Sequence, residues 1–373
     1  MDQLVINNVI EQLTKSCIIN GAMMPIDEIE KMGFHEFGIR SKLNMPTKLY
    51  KYFSNIDIKT QDGSVVNYSQ QSLINNTVFL QTPTLFDDVY DSDITLDYKE
   101  YERLRAMEYC KRCGVDVNNG WTNQEAGDAL IKVLWPHYRE NDIEKAFIVP
   151  PESELVRLSN REFCLTVLTE CNMADDFGMA VSRAIAKEFH QYNEYLKDIF
   201  RIACFTTTPY SQLMWGGVYA DQHRGVCVEY TILPQEAVYQ DIYLNLFPVV
   251  YCKTRPDVTK RIVCAKDKMY TDEILWDIYF HGALRKGIDW VFQNEWRLLL
   301  PMGRNKDDYN IKFFPITKVF LGNRMSALNR KTIIEICKKS KIPYVGVTRN
   351  SKTFEMQDCE VLCENCNRLV QGH

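Results

Sequence analysis

Apolar residues recur every second position in some stretches of this chain and every third or fourth in others, and the switch between the two periods divides it into elements. Lys48 to Phe53 (KLYKYF) alternates as a strand does. After a polar loop with Asp62-Gly63, residues 69–76 (SQQSLINN) read as a helix, and Val78 to Pro83 (VFLQTP) reads as a strand halted by its proline. From Tyr98 to about Phe200 the period is helical. Four segments, opening at Tyr98, Asn123, Glu152 and Asp175, carry the pattern, and each starts near an Asp, Asn or Ser. Strands return at Ile202–Thr206, Gly225–Tyr230 and Phe247–Cys252. A helix is expected over Thr271–Ile288, then a strand around Leu298–Leu300 ended by Pro301. Strands at 309–315 and 318–322, a helix at 327–341 and strands at 344–352 and 353–361 complete the order. Strands on both sides of a long helical run predict an α+β fold interrupted by a helical insertion. The expected divisions are a helical leader at 1–45, a core from 46–97 and 201–358, an insertion at 98–200 and a tail at 359–373.

In the leader, Leu4, Val5, Val9, Ile10, Leu13 and Cys17 fit a helical period. The N-terminus has no basic stretch followed by an apolar run, so it does not read as a secretion signal, and no segment reaches the length of a membrane span. Thirteen cysteines scattered through apolar segments then read as reduced thiols, and the cytoplasm is the expected compartment. Charge is uneven. Residues 251–373 hold 22 Lys+Arg against 14 Asp+Glu, a net +8, while residues 1–250 carry −13. Such a basic third suits nucleotide or nucleic-acid phosphates, or simply complements the acidic part within the fold.

The segment Trp290–Pro301 (WVFQNEWRLLLP) carries the clearest candidate chemistry. In an extended chain Gln293 and Glu295 point to the same side, with Asn294 and Trp296 opposite. A carboxamide beside a carboxylate orients a polar substrate and stabilises a developing positive charge. The plainer reading is an edge strand with two solvated polar residues and Arg297 in a surface ion pair. Asp87, Asp88, Asp91, Asp93 and Asp97 form an acidic loop, but they lack the glycine and distal Glu of a calcium loop, so Asx turns and helix caps are the expectation. Between two strands, Gly216-Gly217 permits an unusual backbone path, with Trp215, Tyr219 and His223 around it. This loop either stacks on a planar ring or plugs the core with Leu213, Met214 and Trp215. Cys110 and Cys113 form CxxC inside a helical pattern, and Cys359, Cys363 and Cys366 lie near the terminal His373. Neither set has the two close pairs of a structural zinc site, so no metal is assigned.

Several of these segments together resemble a bacterial family described as a domain of unknown function. Its LYKYR strand is matched by Leu49-Tyr50-Lys51-Tyr52-Phe53, and its S-P and FNDPFD by Thr82-Pro83 and Phe86 to Asp91. Its CFS…LMWSHYAD.HKGVCIGF block is matched by Cys204-Phe205-Thr206, Leu213-Met214-Trp215, Tyr219-Ala220-Asp221 and His223 to Val228. W..E.EWR is matched by Trp290, Gln293, Glu295, Trp296 and Arg297, and a closing LG.RM by Leu321 to Met325. The family is similar in layout to ADP-ribosyltransferases, which implies a mixed or antiparallel split sheet. That resemblance implies NAD as substrate, an enzyme acting on a protein or nucleic-acid acceptor, and a role as a defence or toxin effector. It implies Glu295 and Gln293 as catalytic residues. Tyr50, Lys51, Tyr52, Thr82, Trp215, Tyr219, His223 and Arg297 are the implied NAD contacts. Phe53 stands where the family has Arg, Gly216-Gly217-Val218 replaces its Ser-His, and Gln293 replaces an acid, so Lys51 is the expected substitute cation. The alternatives are a nucleotide or nucleic-acid binding module without chemistry, and a hydrolase of NAD or another nucleotide.

Overall fold

The computed structural model describes residues 12, 14–32, 34–88, 90–92, 95–150, 153–198, 200–255, 257–266, 281–301 and 309–359. Described residues within Met1–Asp91, Ile199–Thr254 and Leu284–His373 form one compact unit, and those within Ser92–Asp198 and Arg255–Ala283 form a second. The fold is mixed α+β with both parallel and antiparallel strand pairs.

The strands in chain order are β1 (Ser16–Ile19), β2 (Ala22–Pro25), β3 (Lys48–Phe53), β4 (Ile58–Lys59), β5 (Val65–Val66), β6 (Thr77–Phe79), β7 (Phe200–Thr206) and β8 (Val226–Thr231). They continue as β9 (Leu246–Pro248), β10 (Val250–Cys252), β11 (Arg285–Gly287), β12 (Glu295–Pro301), β13 (Asn310–Lys312), β14 (Ile316–Leu321), β15 (Tyr344–Arg349) and β16 (Met356–Asp358). All lie in the first unit.

Eight of them make one sheet in the order β16-β15-β14-β8-β3-β7-β12-β9, antiparallel except for β14 with β15. The alternation seen in sequence gives this sheet two covered faces. Val226, Val228, Tyr230, Leu49, Phe205, Trp296 and Leu298 pack on one side with Leu73, Ile333 and Cys337 from helices 68–75 and 327–340. Tyr52, Trp215, Cys227, Phe320 and Val347 pack on the other. The joint between β3 and β7 differs from the rest. β7 pairs with β12 from Glu295↔Thr206 to Pro301↔Phe200, and β3 pairs with β8 along its whole length, but β3 meets β7 only at Tyr50↔Thr206. The sheet therefore splits there, and the split makes room for a cavity.

A second sheet, β11-β10-β1-β2, begins where a helix was expected. Cys17 sits in β1, not in a helix. Asn20 and Gly21 both take positive φ, 50° and 77°, and this two-residue turn folds the leader back as a hairpin. Most of the expected helix 271–288 lies outside the described residues, but its end is corrected: Arg285–Gly287 is a strand paired in parallel with β10, and Ile288–Gln293 is a 3-10 turn.

The second unit contains helices 98–112, 123–139, 154–171 and 177–198, joined by 259–266. Asp97, Thr122 and Ser153 cap three of them with side-chain oxygens, as their positions in the sequence suggest. No described helix is long and apolar enough to cross a membrane.

Candidate functional site

β12 begins just after a left-handed residue, Asn294, with φ 41°. The chain is thus not extended through Gln293 and Glu295, and simple strand alternation does not explain their common orientation. They converge because both bind one ammonium. Lys286 Nζ donates to Gln293 Oε1 at 2.8 Å and to Glu295 Oε2 at 3.1 Å. Asn294 turns aside to Thr207, and Trp296 enters the core.

Glu295 belongs to a buried quartet. Arg297 Nε donates to Glu295 Oε1 at 2.7 Å, and Arg297 Nη2 reaches Asp91 Oδ2 at 2.7 Å. Lys286 Nζ lies 2.9 Å from the same Asp91 oxygen. Two carboxylates and two cations leave the group formally neutral, which is what makes four buried charges tolerable. Burial opposes ionisation of Glu295, but Arg297 and Lys286 outweigh it and hold the carboxyl well below the usual carboxylate range. Lys286 is likewise buried, yet Glu295 and Asp91 keep its ammonium charged above the ordinary lysine value. The Glu295 backbone N–H donates to Tyr251 Oη at 2.8 Å, which fixes the start of the strand.

A cavity of about 330 Å³ opens beside this quartet, at the split in the sheet. Its lining includes Tyr50, Lys51 and Tyr52 from β3, Cys204, Phe205 and Thr206 from β7, and Lys286, Gln293 and Glu295. Leu85 to Asp88 and Asp91 form a further wall. Across the sheet Tyr50, Thr206 and Glu295 stand in one register row. Thr206 is 2% exposed and its Oγ1 has no hydrogen-bond partner. A buried hydroxyl without a partner costs about 1–3 kcal/mol; Thr206 lines the cavity, but its Oγ1 is itself covered. Gln293 Nε2 donates to Tyr219 Oη at 2.5 Å, and burial first, then the carboxylate of Glu295, pushes the Tyr219 phenol up to about 12 against the opposing charge of Lys286.

Six of the ten residues proposed from sequence line this cavity: Glu295, Gln293, Tyr50, Lys51, Tyr52 and Tyr219. Four do not. Thr82 precedes a short 3-10 turn at 83–85, where its hydroxyl meets Thr84, and Thr206 occupies the cavity position expected of it. Trp215 is fully buried, edge-on to Tyr52, with its indole N–H on Pro209 O at 2.7 Å; it is the hydrophobic plug, not a stacking surface. His223 lies flat against Trp215. Arg297 is neither in a surface pair nor on the cavity lining, but behind Glu295 with 0% exposure. The unusual backbone path falls at Asp221–His223, where φ runs from 46° to 70°, and not at the Gly216-Gly217 pair, where Gly217 has φ −84°.

Lys286, Asp91 and Thr206 were not assigned from sequence. Lys286 was hidden in an expected helix, and Asp91 among acids expected to make turns. Thr206 lay within a quoted motif, and its pairing with Tyr50 on one side and Glu295 on the other is the signal that singles it out. Comparisons with protein-family models, with curated proteins and with solved structures return no match. The class defined by fold and site is an α+β protein with a cavity between β3 and β7, walled by a charged, buried carboxylate.

Proposed function

We propose that this protein is an ADP-ribosyltransferase-like enzyme that takes the nicotinamide–ribose end of NAD into the cavity beside Glu295. The observation that carries the reading is the row Tyr50, Thr206 and Glu295 on three neighbouring strands, facing one hollow at the split between β3 and β7. A volume of about 330 Å³ lies at the lower end of ligand pockets and suits one nucleoside-sized half of a dinucleotide. With the quartet neutral, Asp87 and Asp88 outnumber Lys51 on the lining, and that acidic excess favours a pyridinium cation. Thr206 lines the cavity and its covered hydroxyl has no partner among the described residues, a bonding capacity that a ribose oxygen would fill.

Cleavage breaks the bond between the ribose C1′ and the nicotinamide nitrogen. The electron pair leaves with nicotinamide, and positive charge develops on the ribose as an oxocarbenium ion. Glu295, held ionised by its two cations, stabilises that charge, and Gln293, fixed between Lys286 and Tyr219, orients the attacking group. The acceptor is a protein or nucleic-acid group.

The pairing of Glu295 to both Lys286 and Arg297 favours a second reading, a nucleotide-binding pocket without chemistry. Labelled NAD with and without cell extract separates the two. The transferase reading expects nicotinamide release and label transfer, both reduced by about 100-fold or more in Glu295→Gln. Binding of NAD without release, unchanged in Glu295→Gln, establishes the second reading instead.

A further inference from the structure

Lys51 is the one cavity-lining cation that the mechanism above leaves idle, and its surroundings are unlike those of Lys286. Its Nζ donates to the Cys204 carbonyl at 3.0 Å, and the rings of Phe205 and Phe53 lie 5.4 and 5.9 Å away. Among the described ion pairs Lys51 takes part in none, whereas Lys286 has two carboxylates. The groups facing it from the neighbouring strands are the thiol and carbonyl of Cys204 on β7 and the carboxylate of Glu295 on β12; Val228 on β8 is apolar. Burial keeps the Cys204 thiol protonated, well above its ordinary range, and Glu295 is already shared by two other cations. Burial disfavours the ammonium here, and Cys204 and Glu295 oppose that only in part.

We propose that Lys51 is the proton acceptor for the attacking group, an inference that rests on the transferase reading. As the acceptor's O or N bonds to the ribose C1′, its proton passes to Lys51 Nζ, which becomes an ammonium. The C1′–N bond breaks in the same displacement, and nicotinamide leaves as a neutral molecule with the electron pair. Atoms and charge balance without any further reactant. Lys51 Nζ bridges β3 to the Cys204 carbonyl of β7, so the base stands between two strands that each carry a proposed substrate contact and lines the same cavity. Burial, only partly opposed by Cys204 and Glu295, shifts the Lys51 amine below the ordinary lysine value, as such a role requires. This role differs from that of substitute cation, which the resemblance implies for Lys51.

The test is the pH–rate profile of transfer and of nicotinamide release for the full chain, Lys51→Arg and Lys51→Met. Transfer by the wild type is expected to rise about tenfold per pH unit and then level off below the pH at which an exposed lysine titrates. Lys51→Arg, which keeps a permanent charge, is expected to lose that rise and about 100-fold in transfer, while nicotinamide release to water stays within about threefold. Lys51→Met gives the same result if the arginine does not fold. Wild-type transfer by Lys51→Arg, or equal loss of transfer and release, overturns the proposal. A readout independent of NAD is the NMR titration of ¹³C-methylated amines, with the Lys51 resonance assigned by its absence from Lys51→Arg. Titration together with surface lysines overturns the inference whatever the enzyme does. Absence of nicotinamide release from the wild type overturns the transferase reading and leaves the amine titration untouched.

Discussion

Arg105 in the helical unit and Arg297 in the sheet unit are both fully buried, and each meets carboxylate oxygens through Nε and Nη2. Around Arg105 the partners are Glu188 and Tyr109, and the Tyr109 ring stacks on Phe163 at 3.9 Å. That cluster is closed over by aromatic packing. Around Arg297 the partners are Glu295 and Asp91, and beyond Glu295 lies a cavity lined by Thr206 and by Lys51, whose Nζ donates to the Cys204 carbonyl. Burying ion pairs seldom adds stability over well-packed apolar residues. In the first cluster the charges join helix 98–112 to helix 177–198. In the second they hold one carboxylate ionised at the edge of a hollow, and local rules of packing are broken there in the way functional sites break them.

The largest effect that sharpens this contrast comes from removing one acid from each cluster. Glu295→Ala leaves Arg297 and Lys286 short of counter-charge, and Glu188→Ala does the same to Arg105. Each is expected to lower unfolding free energy by about 3–5 kcal/mol in denaturant titrations. Only Glu295→Ala is expected to abolish nicotinamide release per folded molecule. Loss of release in folded Glu188→Ala breaks the comparison.

An intermediate effect is acid sensitivity. The folded-state pKa of Glu295 is depressed, so the unfolded chain binds the proton more readily, and the stabilisation is complete above the unfolded value near 4.5 and lost as pH falls below it. Stability is expected to drop by up to about 1.4 kcal/mol per pH unit from this group alone. Glu295→Ala removes that contribution, so its stability curve is flatter below pH 4.5. Identical acid limbs for the two proteins contradict the assignment.

The smallest effect is the most diagnostic of which threonine matters. Thr206→Val replaces an unpartnered buried hydroxyl by a methyl of similar size. It is expected to raise stability by about 1 kcal/mol and to weaken NAD binding about tenfold. Thr82→Val is expected to leave NAD affinity within about twofold. Calorimetric titration of both variants checks this, and the reverse ranking returns the role to Thr82.

Period and caps made most of the fold legible: the alternation in β3, the apolar run in β12 and the capped helices of the second unit follow from local rules. What local rules missed depends on pairing over long sequence separation. The Asn20-Gly21 hairpin is stabilised by β10, more than two hundred residues away, and Lys286 becomes part of a strand through the same partner. The side chains of Gln293 and Glu295 do share one hollow, although a left-handed residue stands between them and an ammonium draws them together. The sequence drew attention to Trp215 by its size and its glycine neighbours, but full burial against Tyr52 and a satisfied indole N–H assign it to the core.

The most direct measurement is a structure of the full chain soaked with NAD. A ribose hydroxyl is expected within about 2.6–3.2 Å of the Glu295 carboxylate, with a hydrogen bond between ribose and Thr206 Oγ1 and the nicotinamide ring in the cavity at the sheet split. NAD bound elsewhere, with the cavity unchanged and Glu295 contacted only by Lys286 and Arg297, contradicts that expectation.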